Sequence, residues 1–313
     1  MHPTGTTTTT PTLTFGDVTV TRAVESVGSI GMTPDQFFPG TDPAAWEGQE
    51  GWLRPHFLES DGGSVMASTA RTAFQTWIIR SGGRTILIDT AIGDGKDRAD
   101  VPAWHHLSTG FLDRLAEAGV APAEVDVVVN THLHADHVGW NTRSVDGRWV
   151  PTFPNARYLI DQAELQFWDP AAANPSKGPD AKQVWADSVQ PLLDAGVVTA
   201  WTGAYRIDDA VTVEAAPGHT PGASVVRVRS GDAEALFVGD TLHSPAQVAD
   251  ARTSSCFDED TDVAGRTRLR IFAEAAERGI PLFPAHFGGH AGFTVRADGR
   301  GFTIADWQPL DAI

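Results

Sequence analysis

The sequence has little cysteine, few basic residues and no long hydrophobic run, and each shortage excludes a class of protein. With a single cysteine, Cys256, among 313 residues, the chain has no internal disulfide and no multi-cysteine zinc or iron–sulfur site. We expect Cys256 to be a small buried apolar side chain. The apolar stretches, such as residues 85–88, fall far short of the roughly 20 residues that a membrane span requires. The sequence therefore predicts a soluble protein.

Basic residues are outnumbered, with 23 Lys and Arg against 40 Asp and Glu, so the formal net charge is −17. This field repels nucleic acid and anionic membranes, and we expect neither as a partner. The first residues are rich in Thr and lack the basic and apolar segments of a secretory signal, which predicts a cytoplasmic location. Residues 1–15 are predicted to be a disordered tail, and residues 16–313 a single domain.

Hydrophobic residues make up 41% of the chain, enough for a sizeable core, and their spacing alternates between the periods of strands and helices. Predicted strands lie at 13–23, 73–80, 85–89, 125–129, 156–161, 197–201, 211–215, 223–228, 235–238, 281–284 and 301–307. Predicted helices lie at 108–118, 162–168, 181–195 and 263–278. This intermixed order predicts a layered α/β fold with mixed sheets. Residues 32–60 show no clear period and are predicted to be a lid loop that carries Phe37, Phe38, Trp46 and Trp52.

Three histidines and an aspartate occupy six positions directly after the predicted strand that ends near residue 130. In extended backbone, residues two apart point the same way, so His132 and His134 can present their imidazoles to one metal ion. Asp136 and His137, where the chain turns, would face a second ion. Borderline divalent metals favour this mixture of nitrogen and carboxylate ligands. The alternative is a surface cluster of solvated histidines.

Three more candidate ligands stand just beyond predicted strands, where loops gather at one edge of a sheet. They are His219 in the segment Pro-Gly-His-Thr-Pro-Gly, Asp240 in Val-Gly-Asp-Thr, and His286 in Pro-Ala-His-Phe. His290 is the alternative to His286, but it lies among glycines rather than directly after the strand. Together with the first cluster, these residues predict one metal site assembled from several loops.

With Asp89 in the segment Ile-Asp-Thr, these segments resemble the five motifs, in order, of the metallo-β-lactamase superfamily, and specifically its lactonase and methyl parathion hydrolase branch. The resemblance implies an αββα sandwich of two mixed β-sheets flanked by helices. It implies that His132, His134 and His219 hold one divalent ion, that Asp136, His137 and His286 hold another, and that Asp240 bridges them. Asp89 would orient the ligand loops. The expected cofactors are two divalent metal ions, zinc first, with manganese, cobalt or iron as alternatives.

Two ions that share a water lower its pKa toward about 7, which makes hydroxide available as a nucleophile. The predicted activity is therefore hydrolysis of an ester, lactone or phosphotriester, with Asp136 receiving and returning a proton. His243 stands where the superfamily's acyl-homoserine lactonases carry a substrate-binding Tyr, and it is a second candidate catalytic residue. Aromatic residues near the motifs predict an apolar pocket for a hydrophobic small molecule; these are Phe37, Phe38, Trp140, Trp168 and Phe287.

The sequence is compatible with four functions, of which hydrolysis is the first. The second is that of a mononuclear iron oxidoreductase like the persulfide dioxygenases, which use a related scaffold. The third is a nuclease, because RNA-processing enzymes share these motifs. The fourth is a metal-binding protein without catalysis. A homodimer is the expected assembly.

Overall fold

The structure, a computed structural model, describes residues 11–46, 50–59, 63–172, 179–299 and 301–310. Strands and helices alternate along these ranges. The strands, in chain order, are β1 (Leu13–Phe15), β2 (Val18–Ser29), β3 (Arg71–Ser81), β4 (Arg84–Ile88), β5 (Val127–Val129), β6 (Thr142–Val145), β7 (Arg148–Pro151), β8 (Arg157–Asp161), β9 (Val198–Trp201), β10 (Ala204–Arg206), β11 (Val211–Ala215), β12 (Ser224–Ser230), β13 (Ala233–Gly239), β14 (Leu282–Pro284), β15 (Phe293–Ala297) and β16 (Phe302–Trp307).

Most of the helices are short, and the longest lies between β13 and β14 in the sequence. They are α1 (Pro34–Phe37), α2 (Glu50–Leu53), α3 (Phe111–Glu117), α4 (Ala135–Val138), α5 (Gln162–Trp168), α6 (Pro179–Val184), α7 (Gln190–Asp194), α8 (Ala246–Ala249) and α9 (Thr261–Arg278). A π-helix, Trp185–Val189, joins α6 to α7. None of the described helices is both long and apolar enough to cross a membrane.

The strands form two seven-stranded sheets and a separate hairpin of β6 and β7 within the described ranges. The first sheet has the order β1-β2-β3-β4-β5-β8-β9, antiparallel up to β4 and parallel from there. The second has the order β10-β11-β12-β13-β14-β15-β16, antiparallel except for the parallel pair β13 and β14. Both sheets are therefore mixed, as predicted.

Alternation of side chains along the strands creates a four-layer sandwich. In β3, Trp77 and Ile79 join a buried cluster with residues of the second sheet such as Phe237 and Phe283, so the two sheets pack face to face. Ile78, on the other face of β3, packs with α3. The outer face of the second sheet packs against α9. The helix–sheet–sheet–helix arrangement confirms the predicted αββα fold.

The parallel pairs place loops with polar residues at one end of the sandwich. The segments that follow β4, β5 and β8 leave the first sheet together, because these three strands run in the same direction. The segments that follow β13 and β14 leave the second sheet together for the same reason. An Ala73 N–H bond to the carbonyl of His286, at 3.0 Å, joins the two sheets at this end.

Several predicted boundaries differ from the observed ones. The strand predicted over 13–23 is interrupted by a turn at Gly16, whose φ is +58°, and then continues to residue 29. The tail predicted over 1–15 is too long, because residues 13–15 pair with β2; residues 1–10 lie outside the described part of the chain. The predicted helices at 162–168 and 263–278 are confirmed, the second beginning two residues earlier.

The segment predicted to be a lid, 32–60, packs against the second sheet in its described portions. Phe38 and Trp46 are buried in the same cluster as α9, and the Trp46 indole donates to the Thr41 hydroxyl at 3.0 Å. Residues 47–49 and 60, and the side chain of Trp52, lie outside the described residues.

Candidate metal centre

Four segments that leave the sheets at this end bring the predicted ligands together. His132 follows β5, and His134 is the N-cap of α4, so Asp136 and His137 fall in the first turn of that helix. His219 lies between β11 and β12. Asp240 and His286 come directly after the parallel strands β13 and β14. The side chains form two adjoining groups, which we call the first and second clusters.

The first cluster consists of His132, His134, His219 and Asp240. Nδ1 of His134 lies 3.0 Å from Nε2 of His132 and 3.0 Å from Nε2 of His219. Oδ2 of Asp240 is 3.4 Å from Nε2 of His219. One ligand atom of each residue lies within 4.8 Å of all the others, which is the spacing of ligands around a single ion.

The second cluster consists of Asp136, His137 and His286. Nε2 of His137 and Nε2 of His286 are 3.3 Å apart, and Oδ2 of Asp136 lies 3.5 Å from the latter. Asp240 reaches this cluster too, since its Oδ1 is 3.3 Å from Nε2 of His137 and its Oδ2 is 3.1 Å from Nε2 of His286. One carboxylate therefore lies between the two clusters.

Hydrogen bonds on the far side of the rings leave the inward nitrogens free to bind a cation. The Nδ1 atom of His286 donates to the Ala73 carbonyl at 3.0 Å, and that of His137 faces the Asp89 carboxylate at 2.9 Å. In the neutral form that binds a metal, an imidazole with its one N–H on Nδ1 presents the Nε2 lone pair to the second cluster. Metal-binding histidines are held by the same kind of outer hydrogen bond.

The charges of the two clusters differ. Burial, reinforced by neighbouring imidazoles, holds the pKa values of His132 and His134 well below the ordinary range, so these rings are neutral. Burial also opposes charge on His137, but the carboxylates of Asp240, Asp89 and Asp136 raise its pKa well above the ordinary range. The second cluster therefore attracts positive charge, which a proton or a divalent cation can supply.

Asp89 holds the histidine loop rather than joining either cluster. Its carboxylate accepts bonds from the Thr131 N–H at 2.7 Å and the Thr131 hydroxyl at 2.8 Å, in addition to facing His137. Asp89 itself has a left-handed backbone, with φ of +56°. This geometry orients the loop that carries His132.

His243 is buried against Asp240, and its ring is not satisfied by protein hydrogen bonds. Nε2 of His243 lies 3.1 Å from Oδ2 of Asp240, but among the described residues neither ring nitrogen has an aligned hydrogen-bond partner, and the same holds for Oδ1 of Asp240. Nearly all buried polar atoms in folded proteins are paired. The unpaired atoms, together with the converging lone pairs, fit a site that is completed by bound cations and a substrate.

The structure distinguishes between the two candidates for the last ligand. His286 joins the second cluster, whereas His290 is exposed and stacks on Trp307 with ring centroids 5.5 Å apart. A third group of metal-ligand side chains lies elsewhere, at the surface, and consists of Asp97, His105 and His106.

Aromatic rings flank the clusters in three inner–outer pairs. The inner rings contact histidines edge to face: Phe37 against His243 at 5.6 Å, Trp168 against His134 at 5.3 Å and Phe74 against His286 at 5.5 Å. Each inner ring contacts a more exposed outer ring: Phe257 on Phe37, Phe167 on Trp168 and Trp104 on Phe74. We call Phe257, Phe167 and Trp104 the aromatic rim.

Three residues predicted to line the pocket belong to the core instead. Trp140 stacks on Phe111, because its indole N–H is held by Glu25 at 2.7 Å. Phe38 packs on Trp46, and Phe287 packs on other rings behind the second sheet. Among the predicted pocket residues, Phe37 and Trp168 contact histidines of the site.

Two buried carboxylates were missed in the sequence, and the burial of one cysteine was predicted wrongly. The Asp258 carboxylate pairs with Nδ1 of His219 at 2.9 Å, and no sequence signal marks it. Glu164 lies four residues before Trp168 on α5 and bonds its indole N–H at 2.7 Å, a helical spacing that could have revealed the pair. Cys256, predicted to be buried, is exposed next to the rim, and its backbone N–H donates to the carbonyl of Phe37 at 2.8 Å.

An αββα sandwich with a His and Asp cluster at the ends of its facing sheets defines a class of metal-dependent hydrolases. A sequence profile described as the metallo-beta-lactamase superfamily matches residues 75–302, which is most of the chain. The protein belongs to the metallo-beta-lactamase superfamily.

Two groups of curated relatives align with part of the chain. Ribonuclease Z of Mycobacterium sp. (strain KMS) is 29% identical over 196 residues, which are 58% of this chain and 59% of the relative. The N-acyl homoserine lactonase AttM of Rhizobium radiobacter is 28% identical over 132 residues, which are 41% of this chain and 45% of the relative. The chain thus matches less than two thirds of the length of these relatives.

Solved structures with the same fold cover nearly the whole chain. AidC, a dizinc quorum-quenching lactonase in complex with its N-hexanoyl-L-homoserine product, aligns with a TM-score of 0.76 at 19% identity over 96% of this chain and 98% of its own. The hydrolase AbOPH aligns with a TM-score of 0.75 at 23% identity over the same shares. At these identities the likeness establishes the fold.

Proposed function

We propose that this protein is a hydrolase that uses two divalent metal ions, zinc first, to cleave an ester, lactone or phosphotriester with an apolar part. His132, His134 and His219 would hold one ion, and Asp136, His137 and His286 the other. Asp240 would bridge them, since its two oxygens lie 3.1–3.4 Å from nitrogens of both clusters. That bridging position is the observation that supports two ions rather than one.

The ions would activate a shared water as the nucleophile and polarise the oxygen of the bond to be cleaved. Asp136 is the most accessible carboxylate of the centre, with 14% of its side chain exposed, and its Oδ2 faces the second cluster, so its other oxygen can take up and return a proton. Burial lowers the pKa of His243, which keeps that imidazole neutral and able to donate one N–H to an oxygen of the substrate. Within the described part of the chain, no aligned hydrogen bond competes for either ring nitrogen of His243.

The surroundings of the clusters favour a neutral, apolar small molecule. The three inner rings and the aromatic rim surround the clusters with apolar surface. Among the described residues, the basic side chains within ion-pair distance of Asp136 or Asp240 are the site histidines. Aromatic surfaces bind apolar groups through burial and ring contacts. One of the relatives is named as an N-acyl homoserine lactonase, and a lactone with an acyl chain would fit such surroundings.

RNA hydrolysis is the competing activity, because ribonuclease Z is also among the relatives. The net charge of −17 opposes it, since RNA binding depends on neutralisation of phosphates by basic residues. We therefore place RNA hydrolysis second to cleavage of a small neutral molecule.

Metal content measured alongside activity tests the proposal. We expect two zinc ions per chain after reconstitution of EDTA-treated protein, counted in His106→Ala protein so that the surface group of Asp97, His105 and His106 does not contribute. Hydrolysis of an aryl ester, a lactone and a phosphotriester should be assayed before and after chelation. At least one activity should be lost with EDTA and return with zinc.

Other outcomes would contradict the proposal. Hydrolysis unaffected by EDTA would exclude the metal mechanism. One iron per chain with thiol-dependent oxygen uptake would identify an oxidoreductase. Cleavage of precursor RNA without cleavage of the three small molecules would identify a nuclease.

A further inference from the structure

A buried carboxylate outside both clusters connects the segments that carry the three histidines of the first cluster. Glu164, on α5, is completely buried. Its Oε2 accepts the Leu133 N–H at 3.0 Å and the Trp168 indole N–H at 2.7 Å, and its Oε1 accepts the Gly222 N–H at 2.9 Å. Three donors around one carboxylate satisfy it in an apolar setting.

Each of these donors is linked to a histidine of the first cluster. Leu133 lies between His132 and His134, so its amide fixes the backbone from which both rings project. Gly222 ends the short segment that carries His219. The Trp168 ring packs edge to face on His134 at 5.3 Å.

The segment that carries His219 approaches α5 so closely that it requires a glycine. A Cβ atom at Gly222 would lie 2.5 Å from the Glu164 backbone nitrogen and 2.8 Å from its Cγ. The Gly222 amide can therefore reach the carboxylate directly, without an intervening water.

We propose that Glu164 is a positioning residue that sets the mutual spacing of His132, His134 and His219 and thereby the metal affinity of the first cluster. This inference rests on the proposed function, because it assumes that the first cluster binds a divalent ion. Glu164 does not reach the ligand atoms itself. It acts by holding two loops and one ring that come from separate parts of the chain.

Another buried carboxylate provides a matched control. Glu25 accepts the Ile92 N–H at 2.7 Å, the Gly93 N–H at 3.1 Å and the Trp140 indole N–H at 2.7 Å. Glu25 thus resembles Glu164 in burial and in its donors, but its bonds go to the segment after Asp89 and to Trp140, and none of them goes to the segments that carry the first cluster.

The test is zinc binding by chelator competition, supported by thermal unfolding of each variant. All variants are compared in a His106→Ala background, which removes the surface group. The protein with no further change should show two binding steps, and the step that disappears in His134→Ala belongs to the first cluster. Glu164→Gln keeps the shape but loses the charge and one acceptor. We expect it to weaken the first-cluster step about 10- to 100-fold, which is the usual effect of losing an outer partner of a metal ligand, and to leave the second step within about twofold.

Two further variants keep the inference falsifiable. Trp168→Phe retains a ring against His134 but removes one donor to Glu164, and should weaken the first-cluster step about threefold to tenfold. This variant decides the question if Glu164→Gln does not fold. Glu25→Gln should lower the melting temperature by a similar amount as Glu164→Gln without weakening the first-cluster step.

The possible failures are distinguishable. A wild-type protein that binds no zinc would overturn the proposed function itself. If wild type shows two steps and either Glu164→Gln or Trp168→Phe leaves the first-cluster affinity unchanged, the role of Glu164 is overturned while the proposed function stands. Equal weakening of both steps, or the same first-step loss in Glu25→Gln, would show a general effect of buried charge and would also overturn it.

Discussion

Nδ1 of His219 and Oδ1 of Asp258 lie 2.9 Å apart, although the two residues are 39 positions apart in the sequence. The surrounding imidazoles, His219 first, and Arg268 hold the pKa of the Asp258 carboxyl well below its usual range, despite burial. The aspartate is therefore ionised and holds the proton of His219 on Nδ1. As a result, the Nε2 lone pair of His219 points into the first cluster.

Replacement of this aspartate should weaken metal binding. Asp258→Asn removes the charge that fixes the His219 tautomer, so we expect a loss of about 10- to 100-fold in zinc affinity. Chelator competition measures it. Asp250→Asn is the control, because Asp250 is exposed in the same loop and, among the described residues, its carboxylate accepts bonds from the Arg252 N–H and the Thr253 hydroxyl. Equal affinities in the two variants would show that the hydrogen bond to His219 has no effect.

The aromatic rim should affect substrate binding more than turnover. Phe257 is 48% exposed and contacts Phe37, which in turn contacts His243. Phe257→Ala should raise KM for the most apolar substrate about 5- to 30-fold, equivalent to about 1–2 kcal/mol of ring contact, with little change in kcat. Val145→Ala serves as the control, since Val145 is 44% exposed and lies on the separate hairpin of β6 and β7. A rise in KM that is independent of substrate hydrophobicity would contradict the role of the rim.

A buried lysine should make stability depend on pH in the alkaline range. Lys96 donates to the Thr142 hydroxyl at 2.6 Å and lies 3.6 Å from Asp187, and burial lowers its pKa to about 7. A lysine in the unfolded chain has a pKa of about 10.4. Between pH 7 and that value, the unfolded chain therefore binds a proton at Lys96 that the folded chain does not. The free energy of unfolding should therefore rise with pH, at about 1.4 kcal/mol per pH unit from this group.

Urea unfolding at pH 7, 8 and 9 measures this dependence. In Lys96→Met the rise should disappear, so the difference in unfolding free energy between wild type and variant grows with pH across this window. Lys182→Met, at an exposed position, should follow the wild type. Parallel pH profiles for wild type and Lys96→Met would exclude a neutral buried lysine.

A glycine next to the histidine loop should be irreplaceable. A Cβ atom at Gly139 would lie 1.7 Å from the carbonyl oxygen of Ile92 and 2.5 Å from the nitrogen of Gly93. Gly139→Ala must push these segments apart, which should cost about 3 kcal/mol or more of unfolding free energy. Gly28→Ala, where a Cβ would meet nothing within 4 Å, should change stability by less than about 0.5 kcal/mol. Similar melting temperatures for the two variants would refute this close contact.

The candidate ligands could be predicted from the sequence because each of them stands in a short, local motif. His132 to His137 occupy six consecutive positions shortly after β5, and each remaining candidate directly follows a strand or lies in a short glycine-rich segment. Parallel strands bring their carboxyl ends together, so the convergence followed from the order of the elements. The structure brings the seven side chains together in two adjoining clusters, with Asp240 between them.

The surroundings of that set could not be predicted, because they depend on distant partners. Trp140 follows the histidine loop closely, yet Glu25, far away in β2, holds its indole and directs the ring into the core. Phe74 was not identified because its strand has hydrophobic residues on both faces, so nothing in the local pattern showed that its ring faces His286. The hairpin of β6 and β7 was missed because its residues alternate between buried and exposed only weakly.

The exposed Cys256 offers a practical handle on the centre. Because it is the chain's one thiol and adjoins Phe257, a maleimide fluorophore would attach at a single position next to the aromatic rim, without prior mutagenesis. The emission of such a dye would respond to any molecule that settles among the neighbouring rings. Occupancy by unreactive analogues could then be titrated directly, independently of turnover.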